Sequence, residues 1–142
     1  VPMQLDPLDR FLDAQALHIE QACAELSAGR KTSHWMWFVF PQLRGLGTSA
    51  MAERYGIAGL DEARAYLVHP ILGPRLIDCC RRLLAVEGRS ARQILGTPDD
   101  LKLRSSMTLF ERAAPDEPVF GEVLARYCDG ERDGRTLRML GP

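Results

Sequence analysis

The chain has 142 residues, 46% of them hydrophobic and 26% charged, with a formal net charge of −1. That length suits one domain, able to bury roughly 70% of its unfolded surface without a metal or a disulfide. The composition excludes a disordered chain, and the near-neutral balance excludes the basic excess of a nucleic-acid module; beyond residue 71, where 12 Arg or Lys concentrate, 11 acids alternate with them.

Asp6-Pro7 marks a first helix start, Asp6 as N-cap and Pro7 in the first turn, with Leu8, Phe11 and Leu12 at helical spacing behind it. Leu17, Ala22, Cys23 and Leu26, interleaved with Glu20, Gln21 and Glu25, predict an amphipathic helix over about 17–27, ended by Gly29. The run at 33–40 is too uniformly apolar for periodicity to choose between strand and buried helix; its helical surroundings favour a helix, with Ser33 as cap and Pro41 as stop. Residues 43–48 read as a loop, and Ser49 caps a short helix that ends at Tyr55-Gly56. Further helices are predicted over about 61–68, closed by His69-Pro70, and over 74–87, with Leu76, Ile77, Cys80, Leu83 and Leu84 inward. Ser90 caps a short helix closed by Gly96, and Thr97-Pro98-Asp99-Asp100, with Thr97 as N-cap, Pro98 at the first position and acids in the first turn, opens one that reaches about Ala113. Pro115 and Pro118 bracket a turn before helices near 118–128 and 134–140. The expected architecture is an all-α single domain spanning 1–142, an irregular array of about eight or nine short helices.

Both tryptophans fall in the run Ser33-His34-Trp35-Met36-Trp37-Phe38-Val39-Phe40-Pro41-Gln42. Such a concentration of rings belongs in a core or on a pocket wall, since each removes roughly 150–250 Å² from water. As a helix, the run sets His34, Trp37 and Phe38 on one face and Trp35 to the side of it; as a strand, it sets both indoles on the same side. The helix after Thr97 carries a second signal. Leu103, Met107, Leu109 and Phe110 define its inward face, and Asp99, Lys102 and Ser106 fall on that face at i, i+3 and i+7, while Arg104 and Thr108 point away. Polar groups on an apolar stripe need partners, either each other (a Lys102–Asp99 pair) or a ligand. The chain uses 16 Arg and only two Lys, Lys31 and Lys102, so an inward lysine suits the need for a compact point charge.

The remaining chemistry is sparse. His18 belongs to a polar helix face, and His69, at a helix end, is placed to meet free carbonyls. No histidine or cysteine spacing suits a metal, and neither a metal nor a cofactor is expected. Cys23, Cys79, Cys80 and Cys128 contain no C-x-x-C pair and read as reduced thiols, Cys79 and Cys80 within a buried helix. Gly45-Leu46-Gly47-Thr48-Ser49-Ala50 fits the loose dinucleotide pattern, yet it lacks a preceding strand, and an ordinary loop is the expectation. No targeting or membrane-spanning segment is read in the chain, so a cytoplasmic location is expected.

Two long stretches carry a family resemblance: residues 28–42, from Ala28-Gly29-Arg30-Lys31 through the aromatic run, and residues 98–110, with Pro98-Asp99-Asp100, Lys102 and Arg104-Ser105-Ser106-Met107-Thr108-Leu109-Phe110. Shorter matches are Met51-Ala52-Glu53-Arg54-Tyr55, Glu62-Ala63-Arg64-Ala65-Tyr66-Leu67 and Leu72-Gly73-Pro74-Arg75-Leu76. With these, the chain resembles the bacterial family catalogued as domain of unknown function 1810. The resemblance implies a mainly helical fold and transfers no catalytic residue.

From the residues themselves, the expected function is that of a small-ligand-binding domain or small enzyme for an anionic, ring-containing, nucleotide-like compound. Lys102 would meet the anion, Trp35 or Trp37 would stack on the ring, and His34 or Asp99 would move a proton. Gln42, Tyr55, His69, Arg75, Ser105 and Ser106 complete the candidate site. The alternative is a non-catalytic interaction or structural protein whose aromatic run only builds the core. Neither nucleic acid nor membrane is an expected partner.

Overall fold

Frequent Gly, Pro and Ser breakpoints divide this chain into many helices, most of them short. The computed structural model describes residues 7–142, and the helices among them are α1 (Asp9–Ala28), α2 (Met36–Val39), α3 (Ala50–Tyr55), α4 (Leu60–Val68), α5 (Leu72–Ala85), α6 (Ala91–Leu95), α7 (Asp99–Ala113), α8 (Pro118–Tyr127) and α9 (Gly134–Leu140). The one extended pairing among the described residues is an isolated parallel bridge between Leu43 and Ile57. The protein is therefore all-α, with the predicted number of helices. Asp6 lies outside the described residues.

Side-chain caps start four of the described helices, α3, α6, α8 and α9. Ser49 accepts the Ala52 amide, Ser90 and Gln93 form a reciprocal capping box, and Glu117 caps α8 ahead of Pro118. Two predicted caps do not form. Thr97 gives no side-chain cap to α7, whose first turn instead carries Asp99 and Asp100 against the positive end of the helix. Ser33 does not cap α2, because its hydroxyl is drawn to Glu25. The predicted segment 17–27 is the second part of one 20-residue helix. On it Leu17 is 82% exposed, while Gln15 and Glu25 are buried. Hydrophobicity alone misassigned these positions, since both buried polar residues have partners on other parts of the chain.

α5 packs on α1, α4 and α8, and α7 on α4, α6, α8 and α9. A relay of rings crosses the core: Phe11 of α1 meets Tyr66 of α4 edge-on at 5.2 Å, Tyr66 meets Phe110 of α7 at 5.4 Å, and Phe110 meets Phe120 of α8 at 5.8 Å. At the α4–α5 corner only glycine fits at position 73, where a Cβ would stand 2.0 Å from the Leu67 carbonyl oxygen. Because α7 is covered on several sides, Thr108 is buried, contrary to the two-faced reading. Its hydroxyl donates to the Arg104 carbonyl at 2.7 Å and accepts the Asp133 amide at 2.9 Å.

Two buried polar side chains tie α1 to its neighbours. The Gln15 amide donates to the Phe38 carbonyl (2.7 Å) and the Tyr66 hydroxyl (3.0 Å), and accepts from Arg75 (3.3 Å). Glu25 sits where α1 ends. Gly29, at φ +74°, turns the chain back, and the returning segment delivers to the Glu25 carboxylate the amides of Thr32 (2.7 Å) and Ser33 (2.9 Å), the Ser33 hydroxyl (2.6 Å) and the Trp35 indole N–H (3.0 Å). Gln21 adds a further donor at 2.8 Å. Burial alone would raise the carboxyl pKa, but the Ser33 hydroxyl and the Thr32, Gln21 and Ser33 N–H groups outweigh it and hold the group far below the ordinary carboxylate range.

The stability that this pKa depression contributes is complete above the unfolded carboxyl pKa of about 4.3 and is lost as pH falls below it toward the folded value. Glu25→Gln is expected to destabilise the protein by about 2–3 kcal/mol at pH 7. In urea unfolding, that difference should narrow at pH 3. An equal difference at both pH values would contradict the ionised network.

Candidate functional site

The turn that Glu25 organises also builds one wall of a cleft. The Lys31 amide donates to the Ile94 carbonyl at 2.7 Å, tying the turn to α6. Trp35 is then fully buried with its N–H on Glu25, and the single turn of α2 directs the next indole, Trp37, to the half-buried cleft side. The Lys31 ammonium lies 5.1 Å from the centroid of Trp35 and pairs with Asp99 Oδ2 at 2.9 Å, with only 8% of its side chain exposed.

The first turns of α7 form the opposite wall. Lys102 Nζ stands 3.7 Å from Asp99 Oδ1, beyond hydrogen-bond length, and 5.2 Å from the centroid of the Trp37 ring. Both lysines of the chain thus converge on one carboxylate. Lys31 is the closer and more buried partner, which leaves Lys102, 25% exposed, as the cation facing the opening. The cleft between these walls measures about 420 Å³, with Ser33, His34, Trp37, Asp99 and both lysines on its lining. A second compartment of about 360 Å³ adjoins it through Pro98 and Lys102 and is bounded by Gln42, Gly47, Arg104, Ser105, Asp133 and Arg135.

The structure therefore gathers His34, Trp37, Gln42, Asp99, Lys102 and Ser105 around one two-part cleft. His34 is exposed at the rim. Ser105 lines the second part while its hydroxyl donates back to the Leu101 carbonyl at 3.3 Å. Five other candidates lie elsewhere. Trp35 is in the core, because Glu25 claims its indole. Ser106 is fully buried and its hydroxyl has no partner among the described residues, since α7 is enclosed at that turn. Tyr55 packs between Phe11 and Phe38, and Arg75 serves Gln15. His69 does not meet free carbonyls: its Nδ1 accepts the Ile71 and Leu72 amides at 3.1 and 3.3 Å and so starts α5.

Sequence reasoning missed Lys31, Arg104 and Arg135 as cleft residues. For Lys31 a signal existed, the rarity of lysine in an arginine-rich chain. Arg104 was assigned to the outer face, yet it lines the second compartment, with a buried Nε that has no partner among the described residues. Arg135 approaches from α9 and donates to the carbonyls of Leu46 (3.1 Å) and Gly45 (3.2 Å), a contact between residues about 90 positions apart. Among the described residues no three His, Cys, Asp or Glu side chains cluster as metal ligands. No cysteine lines the cleft, though Cys128 meets Arg104 behind it; burial raises the Cys80 thiol pKa, and the hydrogen bond to the Cys23 thiol together with burial raises that of Cys79. Among the described residues no helix is long and apolar enough to cross a membrane.

Fold and cleft together define a small all-α protein with a lysine-flanked, indole-walled groove. The chain belongs to the family described as Protein of unknown function (DUF1810), whose sequence model matches residues 5–140. It is similar to the conserved hypothetical protein Rv1873 from Mycobacterium tuberculosis, known from a 1.38 Å crystal structure. The two share 55% sequence identity at a TM-score of 0.93, over 95% of this chain and 98% of that one. No curated protein matches the chain.

The two lysines should separate by stability. Lys102→Ala is expected to change the unfolding free energy by less than about 1 kcal/mol, as for other part-exposed pairs. Asp99→Ala strands the buried Lys31 ammonium and should cost about 3 kcal/mol. Chemical denaturation of both variants checks this, and equal losses would contradict the unequal pairing.

Proposed function

We propose that the protein binds a small anionic, ring-containing compound, nucleotide-like in character, in the cleft between the 31–37 turn and α7. The observation that carries this reading is the Lys102 ammonium, poised over the exposed side of Trp37 while Lys31 balances Asp99. An anion entering the cleft gains a charge-assisted contact to Lys102 without breaking the Lys31–Asp99 pair. A planar ring gains the indole surface, and Met36, Leu95 and Pro98 supply apolar walls beside it.

Catalysis is a narrower claim than binding. With Asp99 engaged by Lys31, the exposed His34 is the lining group best placed to move a proton. A cytoplasmic setting suits the four free thiols of the described chain. The structural alternative retains part of the aromatic run: Trp35, Met36, Phe38, Val39 and Phe40 are all buried core. Trp37 packs on the edge of that core but is only half-buried, with the Lys102 ammonium over its ring, and this favours the ligand reading over the purely structural one.

Trp37 offers a direct test. Titration with nucleoside monophosphates should quench tryptophan fluorescence of the wild type. Trp37→Phe, which leaves only the buried Trp35, should abolish the quench, and Lys102→Ala should weaken binding about tenfold. Absence of binding to the wild type at millimolar ligand, or equal binding by Lys102→Ala, would overturn the reading.

A further inference from the structure

The two compartments meet only at Pro98 and Lys102, yet their linings differ in chemistry. The first offers an indole face and apolar walls. The second offers Arg104 and Arg135, with Gln42 and Ser105 between them and Lys102 at its mouth. One carboxylate, Asp133, opposes these three cations. Its Oδ2 accepts the Thr136 amide at 2.9 Å and the Thr136 hydroxyl at 2.5 Å, capping α9. With Lys102 shared with Asp99 at the mouth, Arg104 and Arg135 against the single Asp133 still leave the compartment with excess positive charge.

Arg135 is held in advance of any ligand. Its two terminal nitrogens donate to the Leu46 and Gly45 carbonyls, and a guanidinium has five N–H groups, so donors remain free after both contacts. A planar, fully charged fork fixed by backbone carbonyls favours an oxyanion with several acceptors, for which phosphate is the chemical match. The Lys102 ammonium stands at the junction, within reach of a group that leaves the Trp37 compartment and enters the arginine compartment.

We propose that the Arg104–Arg135 compartment is the phosphoryl subsite of the cleft. The ligand is then a nucleoside monophosphate, with its base against Trp37, its sugar passing Lys102 and its phosphate between Lys102 and the two arginines. This assignment rests on the cleft being a ligand site, as proposed above, and adds the orientation of the ligand and the residues that read its phosphate.

The ratio of two affinities tests it. Isothermal calorimetry compares the four common nucleosides with their 5′-monophosphates on the wild type, Arg135→Gln, Arg104→Gln and Trp37→Ala. At least one monophosphate should bind the wild type about tenfold or more tighter than its parent nucleoside. Either arginine substitution should collapse that ratio toward one while nucleoside affinity stays within about twofold, because the lost contact is to phosphate alone. Trp37→Ala should weaken nucleoside and monophosphate together. Arg135 is exposed, so its variant keeps the test sound if Arg104→Gln fails to fold. A wild-type ratio of one, or a ratio unchanged by both arginine substitutions while Trp37→Ala still weakens binding, overturns the phosphoryl subsite and leaves the cleft reading intact. Failure of every nucleoside and monophosphate to bind the wild type overturns both.

Discussion

A buried carboxylate at the end of α1 is the interaction on which the rest of the structure depends. In the segment after Gly29 the Arg30 and Lys31 amides reach the Glu25 and Ile94 carbonyls, but the Thr32 and Ser33 amides that follow have no backbone acceptor. Buried amides without acceptors are strongly unfavourable, and Glu25 supplies the acceptors that secondary structure does not. The same carboxylate takes the Trp35 indole and thereby sets which of the two tryptophans faces inward. Trp37, two residues on, is left to the cleft. One side chain thus bears on both a core position and a cleft position, and its bond network, with the Lys31 contacts to Ile94 and Asp99, holds the wall that carries Lys31 and Trp37.

The second organising relation is the unequal sharing of Asp99. A carboxylate flanked by two ammonium groups attracts both, but the nearer and more enclosed Lys31 takes the greater part of its charge. Lys102 retains a positive charge over an aromatic face, in a cleft bounded by residues from widely separated parts of the chain. This distribution separates a structural lysine from an available one. The 55% identity and TM-score of 0.93 to Rv1873 give the protein a solved relative of the same fold, on which the same division of labour can be sought.

Much of the fold was legible because its boundaries are set locally. Ser49, Ser90, Gly96 and Pro118 act within one helical turn, so single-sequence rules locate α3, α6, α7 and α8 closely. The failures share a physical cause in tertiary partners. Ser33 left its expected cap for a carboxylate eight residues earlier, Leu17 lost the inward place to Gln15 and Glu25, and Thr108 turned inward to meet Asp133. At the site, the pairing of Asp99 with Lys102 followed from helical spacing, whereas spacing left open which of Trp35 and Trp37 lines the cleft. Lys31 reaches Asp99 across 68 positions and Arg135 reaches Gly45 across 90, and neither contact leaves a periodic trace in the sequence. Ser105 and Ser106 show the limit of the helical wheel, which resolves faces but does not say how many of them are covered.

The most direct measurement is a carbon-13 NMR titration of the Glu25 side-chain carboxyl, followed together with the Trp35 indole proton. Glu25 should remain ionised, with the indole signal unmoved, down to the pH at which the whole protein unfolds. A carboxyl that titrates near pH 4 in the folded protein while the indole stays fixed would contradict the claim that this charge holds the cleft wall in place.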